Sequence, residues 1–125
     1  MAGTIEERTF DLVDTAEAVG PFSYLDAGGE QDVYTNEVTT RRKISFEMSL
    51  KNMTQNGTVR VYRKVDGATY DIWIERTYTA AGAEKVWTVE DVITNQHFKV
   101  TYQEAVDEGA ARSIPYNVII QVQEN

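Results

Sequence analysis

Apolar and polar residues alternate with a period of two between Arg42 and Val122, and this pattern restricts the chain to strands with one wet face. Lys43-Ile44-Ser45-Phe46-Glu47-Met48-Ser49-Leu50-Lys51 is the clearest run. Ile44, Phe46, Met48 and Leu50 fall on one side of such a strand, and Ser45, Glu47 and Ser49 on the other. Further runs recur at Thr58–Val65, Tyr70–Ile74, Phe98–Gln103 and Ile114–Val122. Turn-forming clusters separate them, at Asn56-Gly57, Asp66-Gly67 and Ala80-Ala81-Gly82. The spacing predicts an all-β chain, an antiparallel β-sandwich of about eight strands of jelly-roll or immunoglobulin-like order. The expected core is Ile44, Phe46, Met48, Leu50, Val59, Val61, Tyr70, Ile72, Ile74, Val100, Tyr102, Val118 and Ile120, with Val65 also inward. An Ile72→Ala change in that core would cost about 2–4 kcal/mol.

The first third is less regular. Thr9 to Asp14 and Phe22 to Leu25 read as strands, and Thr15–Val19 as one helical turn stopped by Gly20-Pro21. Asp66-Gly67 reads as a two-residue hairpin turn, which needs positive φ at both positions. Pro115 lacks an N–H and belongs at a strand start or an edge. A length of 125 residues suits a single domain, residues 1–125, with residues 1–10 as an N-terminal arm. That arm is short and half polar, so it stays ordered only by packing against something.

Composition narrows the function. Twenty acidic against twelve basic residues give a net charge of -8. Such a charge opposes binding to nucleic acid and to anionic membranes. No run approaches a membrane span or a secretory leader, so synthesis in a cytoplasm is expected. There is no cysteine, hence no disulfide and no thiolate metal site. His97 is the single histidine and lies in the polar stretch Thr94-Asn95-Gln96-His97, where a solvated loop role is expected. The carboxylate pairs Glu6-Glu7, Glu90-Asp91 and Asp107-Glu108 are sequence neighbours, which point apart on strands and suit wet turns better than a glycosidase dyad. Asp26, Glu30 and Asp32 flank two glycines without EF-hand spacing, so a polar hairpin tip is expected in preference to a calcium loop. The sequons at Asn52 and Asn56 mark a surface loop. No catalytic residue, cofactor or metal is therefore assigned.

Trp73 falls on the nominally wet face of its strand, and Arg60 and Tyr62 on the corresponding face of the preceding one. Such an aromatic patch is covered by a second sheet or by the N-terminal segment, or serves as a protein interface or a sugar platform, in that order of expectation. Trp87 does not alternate cleanly with its neighbours. The candidate interface residues are Ile5 and Phe10 in the arm, and Arg60, Tyr62 and Trp73 on the sheet.

The stretch Leu50 to Gly67, with Lys99-Val100-Thr101-Tyr102-Gln103-Glu104 and Glu108 to Tyr116, resembles small proteins of tailed-virus structural gene clusters. The resemblance implies a β-sandwich virion component of the capsid decoration type, without an active site. It implies a location on the virion surface, capsid protein and further copies of the chain as partners, and a trimer as the assembly. The alternative reading is a carbohydrate-binding β-sandwich built on Trp73, Tyr62 and Trp87.

Overall fold

The computed structural model describes residues 11–25 and 29–124, with side chains described within 19–25 and 29–122. Ten strands follow one another: β1 Asp11–Val19, β2 Phe22–Tyr24, β3 Gln31–Asn36, β4 Arg42–Ser49, β5 Gly57–Arg63, β6 Asp71–Tyr78, β7 Val86–Thr94, β8 Phe98–Glu104, β9 Arg112–Ile114 and β10 Tyr116–Glu124. Their pairing is nested. β5 pairs with β6, β4 with β7, β3 with β8, β2 with β9 and β1 with β10, always antiparallel. The chain is thus one long hairpin whose tip is the β5–β6 loop. Wrapping that hairpin on itself adds two further pairings, β10 with β4 and β5 with β8. Two four-stranded sheets result, ordered β1-β10-β4-β7 and β3-β8-β5-β6, with β2 and β9 as a small third ladder. This is the jelly-roll arrangement rather than the immunoglobulin one.

The core lies between the two larger sheets. Ile44, Phe46, Met48 and Leu50 meet Val59, Val61, Phe98, Val100 and Tyr102, all at most 2% exposed. Phe46 stacks on Tyr34 and Tyr116, and Tyr102 takes Tyr24 and Tyr78 edge-on. Ile74 and Ile120 pack on this core while half-buried. Gly57 opens β5 because of space: a Cβ there would lie 2.1 Å from the Tyr102 hydroxyl and 2.7 Å from the Gln103 carbonyl. Asn56-Gly57 is therefore a close-approach site rather than a turn that needs positive φ.

Each of the four edge strands carries one more residue than its partner at a register shift, a β-bulge. The extra residue is Thr15 in β1, Val33 in β3 and Trp73 in β6; in β7, Glu90 and Asp91 oppose Ser45 alone, with Asp91 at φ 57. The central pairings β10–β4 and β5–β8 run without a shift. The bulge in β6 overturns part of the expected core. Beyond Trp73 the alternation changes phase, so Ile72 aligns with outward-facing Tyr62 and is 53% exposed. Tyr70 is half-buried and packs edge-on against Tyr62 instead of entering the core. Val65 lies in the loop after β5 and is 78% exposed.

Two local expectations also change. Thr15–Val19 continues β1, because pairing with β10 supplies the ladder that a lone helical turn lacks. Residues 64–70 form a wider tip than a two-residue turn. Gly67 has φ 78 but Asp66 does not have positive φ. The Gly67 amide bonds the Lys64 carbonyl, and the Asp66 carboxylate accepts the Ala68 and Thr69 amides at 2.9 Å each.

Chemical denaturation distinguishes this register from the expected one. Ile72→Ala should cost less than about 1 kcal/mol, because the side chain is half in water, against about 3–5 kcal/mol for Phe46→Ala. Gly67→Val should cost about 1–3 kcal/mol, since a β-branched residue resists φ 78. An Ile72→Ala cost equal to that of a core truncation would contradict the bulge.

Candidate interaction face

Strands β8 and β5 occupy the centre of one sheet, so their outward residues form a continuous face. Arg60 and Tyr62 project from β5, and Lys99 and Gln103 from β8, with Thr101 between them on the same side but only 1% exposed. Glu30, just before β3, binds this row together. Its Oε2 accepts hydrogen bonds from the Tyr62 and Thr101 hydroxyls, each at 2.5 Å, and its Oε1 lies 3.5 Å from Arg60 Nη1. Arg60 donates Nε to Glu75 at 2.7 Å and Nη1 to Gln103 at 2.9 Å. Lys99 pairs with Asp32 at 3.4 Å and holds its ammonium over Tyr70 and Tyr62, 4.6 and 5.0 Å from the ring centroids. Lys64 covers Tyr70 at 4.7 Å.

The electrostatics follow from this packing. Burial opposes ionisation of Glu30, but the hydrogen bonds from Thr101 and Tyr62 and the charges of Arg60 and Lys99 outweigh it. The Glu30 carboxyl therefore ionises below its ordinary range. Burial, then the bond to Glu30, pushes the Tyr62 phenol up to about 12, so it donates throughout the physiological range.

Arg60 and Tyr62 thus share one network through Glu30, while Trp73 is held differently. Trp73 is the bulged residue of the β6 edge, 46% exposed, with the Arg63 guanidinium 4.9 Å above its ring. Arg63 also donates to the Ile93 carbonyl of β7, which places this pair at the rim between the sheets. Ile5 and Phe10 lie outside the described residues, as do Asp26 and the pair Glu6-Glu7. His97 lies in the connection between β7 and β8 and is half-buried: its ring lies beside Tyr70, and its carbonyl accepts the Lys64 amide. Among the described residues no cluster of three His, Cys, Asp or Glu side chains could hold a metal.

The acidic pair Asp107-Glu108 departs most from expectation. Glu108 is 5% exposed. Its carboxylate accepts the Thr54 amide and hydroxyl at 2.8 and 2.7 Å and the Gln55 amide at 2.9 Å, with Arg112 Nε at 3.5 Å. All of its partners are loop backbone, a neighbouring hydroxyl and one arginine, so it performs a structural task. A charged residue beside a Gly-containing turn offers no sequence signal for such burial. The outer row, by contrast, was legible in the polar alternation Lys99, Thr101 and Gln103, although nothing in it pointed to Glu30.

No protein-family model matches the sequence, and a search of curated proteins finds no match. Solved structures do match. A chain of the Bacillus endospore appendages, described as a family of disulfide-linked pili, is 15% identical with a TM-score of 0.61, over 98% of this chain and 96% of that one. A chain of the acid-stable capsid of the Helicobacter pylori bacteriophage KHP30 is 9% identical with a TM-score of 0.56, over 94% and 99%. The Yersinia pseudotuberculosis-derived mitogen is 12% identical with a TM-score of 0.53, over 90% of each chain. At such identities the likeness establishes the fold. The resemblance to virion β-sandwich proteins extends to that fold.

The Glu30 network has a pH signature. A carboxyl whose pKa is lowered by folding stabilises above its unfolded value, about 4.3, and that stabilisation fades as pH falls through the folded value. Melting temperatures of the wild type and Glu30→Gln should therefore differ at pH 7 and converge below about pH 4. A difference that stays constant down to pH 2.5, on a scale anchored by the ordinary Glu value, would contradict it.

Proposed function

We propose that the chain is a non-enzymatic structural subunit of a virus particle, acting as a capsid decoration or stabilising protein through contacts with capsid protein and with other copies of itself. The supporting observation is the match, end to end, to chains of two assemblies, a pilus and a phage capsid. In both, nearly the whole partner chain is covered, so the shared unit is the bare sandwich with no large addition. The absence of cysteine removes the disulfide linkage named for the pilus, so cohesion here rests on non-covalent contacts. On this proposal the protein sits on the virion surface after synthesis in the host cytoplasm, as a trimer.

The contact surfaces are the arm, residues 1–10 with Ile5 and Phe10, and the sheet face carrying Arg60 and Tyr62 with Trp73 at its rim. The four edge bulges fit this assignment. A bulge resists extension by a foreign strand over the stretch it interrupts, so cohesion there falls to faces and termini. The sugar-platform alternative finds less support, because Lys99 lies over the Tyr62 ring, Arg63 lies over Trp73, and Trp87 packs against the core.

Light scattering of the purified chain, alone and mixed with capsids lacking it, tests the reading. The intact chain should form oligomers and bind capsids. Removal of residues 1–8 should weaken assembly far more than it lowers the melting temperature. His97→Ala should leave assembly unchanged. A monomer that ignores capsids but retains an oligosaccharide would replace this reading with the carbohydrate-binding one.

A further inference from the structure

The sandwich is open along one side, between the edge strands β6 and β7. There a cleft of about 420 Å³ reaches the core. Leu50 and Val59 form its floor, and Tyr78 and Trp87 its walls. That volume falls in the range of sites that enclose a ligand. Arg76, Glu84 and Lys85 stand at its rim, two cations to one carboxylate on a chain of net charge -8. Lys85 is fixed over the cleft, with its ammonium 2.5 Å from the Ala80 carbonyl and 3.2 Å from the Tyr78 hydroxyl. The bulges of β6 and β7, at Trp73 and at Glu90-Asp91, lie away from this end, so both strand edges flanking the cleft are regular.

We propose that this cleft receives the N-terminal segment of a second copy of the chain, with Ile5 over the apolar floor and Glu6 and Glu7 against Arg76 and Lys85. The inference rests on the assembly role proposed above and names the receiving site. Register decides between the chain's own segment and a neighbour's. Asp11 pairs with Glu124, and Gln121 pairs with Lys43, so β1 begins at or beyond the level of Arg42. The cleft lies at the other end, beside Leu50 and Val86. Eight residues of rise separate those levels along the sheet, about 26 Å, and three strand spacings separate β1 from β7, about 14 Å. The diagonal is about 30 Å, whereas ten fully extended residues span at most about 33–36 Å. A chain reaching its own cleft would use nearly the whole segment on the way. In a head-to-tail arrangement the same segment starts beside the next copy's cleft. Such a contact is heterologous and builds rings or filaments. It also supplies the local charge complementarity that mutually repelling acidic subunits need.

The cysteine-free chain makes the test direct. In Ile5→Cys/Val86→Cys, mild oxidation should give a ladder of dimers, trimers and larger species on a non-reducing gel, while each single variant stays monomeric. Independently, Arg76→Glu/Lys85→Glu should weaken self-association about tenfold, and Glu6→Lys/Glu7→Lys in the same chain should restore it, with melting temperatures held as a folding control. An intramolecular disulfide that yields only monomer would overturn the second-copy assignment. An intact chain that assembles, without a ladder and without response to the charge reversal, would overturn this inference and leave the structural role standing. An intact chain that is monomeric at every concentration would overturn both.

Discussion

The corners of the sandwich govern the rest of the structure. Wherever the chain crosses from one sheet to the other it leaves the ladder, and its amides and carbonyls must find other partners. Buried charged residues supply them at both ends. Arg42 is 3% exposed and donates to the carbonyls of Thr40, Thr94 and Gln96 and to the Asn36 side chain. It thereby clasps the β3–β4 and β7–β8 crossings. Glu108 accepts the amides of Thr54 and Gln55 and so clasps the β4–β5 and β8–β9 crossings. The orphaned carbonyls meet a cation, and the orphaned amides meet an anion. Charge-assisted bonds are the stronger kind, and a side chain lost from either corner would leave several buried groups unsatisfied.

Once the corners hold, the nested hairpin can close over a core that needs no disulfide. Tyr24 shows the same logic on a smaller scale: its hydroxyl accepts the Glu104 amide and donates to the Gly29 carbonyl, tying the β2–β3 connection to the end of β8. The edges obey a different requirement. All four carry their surplus residue on the outer strand, which kinks each edge away from a straight partner. Each bulge interrupts the regular edge ladder and so opposes unlimited edge pairing.

The sequence by itself determined the strand content, the antiparallel class and most of the core. These are local properties: period-two alternation assigns Ile44, Phe46, Met48 and Leu50 to one face whichever strands lie beside them. It also carried the β5–β6 hairpin, because Asp66-Gly67 and the two flanking apolar runs are contiguous. Tertiary structure decided what depends on distant partners. The bulge at Trp73 reverses the face of Ile72, and it exists only against Tyr62 in the neighbouring strand. Glu108 is buried because residues 54 and 55, more than fifty positions away, present bare amides to it. The choice of jelly roll over immunoglobulin order likewise lies in the β10–β4 and β5–β8 pairings. Alternation places a side chain in or out, but it does not specify which strand lies alongside, since every half-buried strand offers the same backbone ladder.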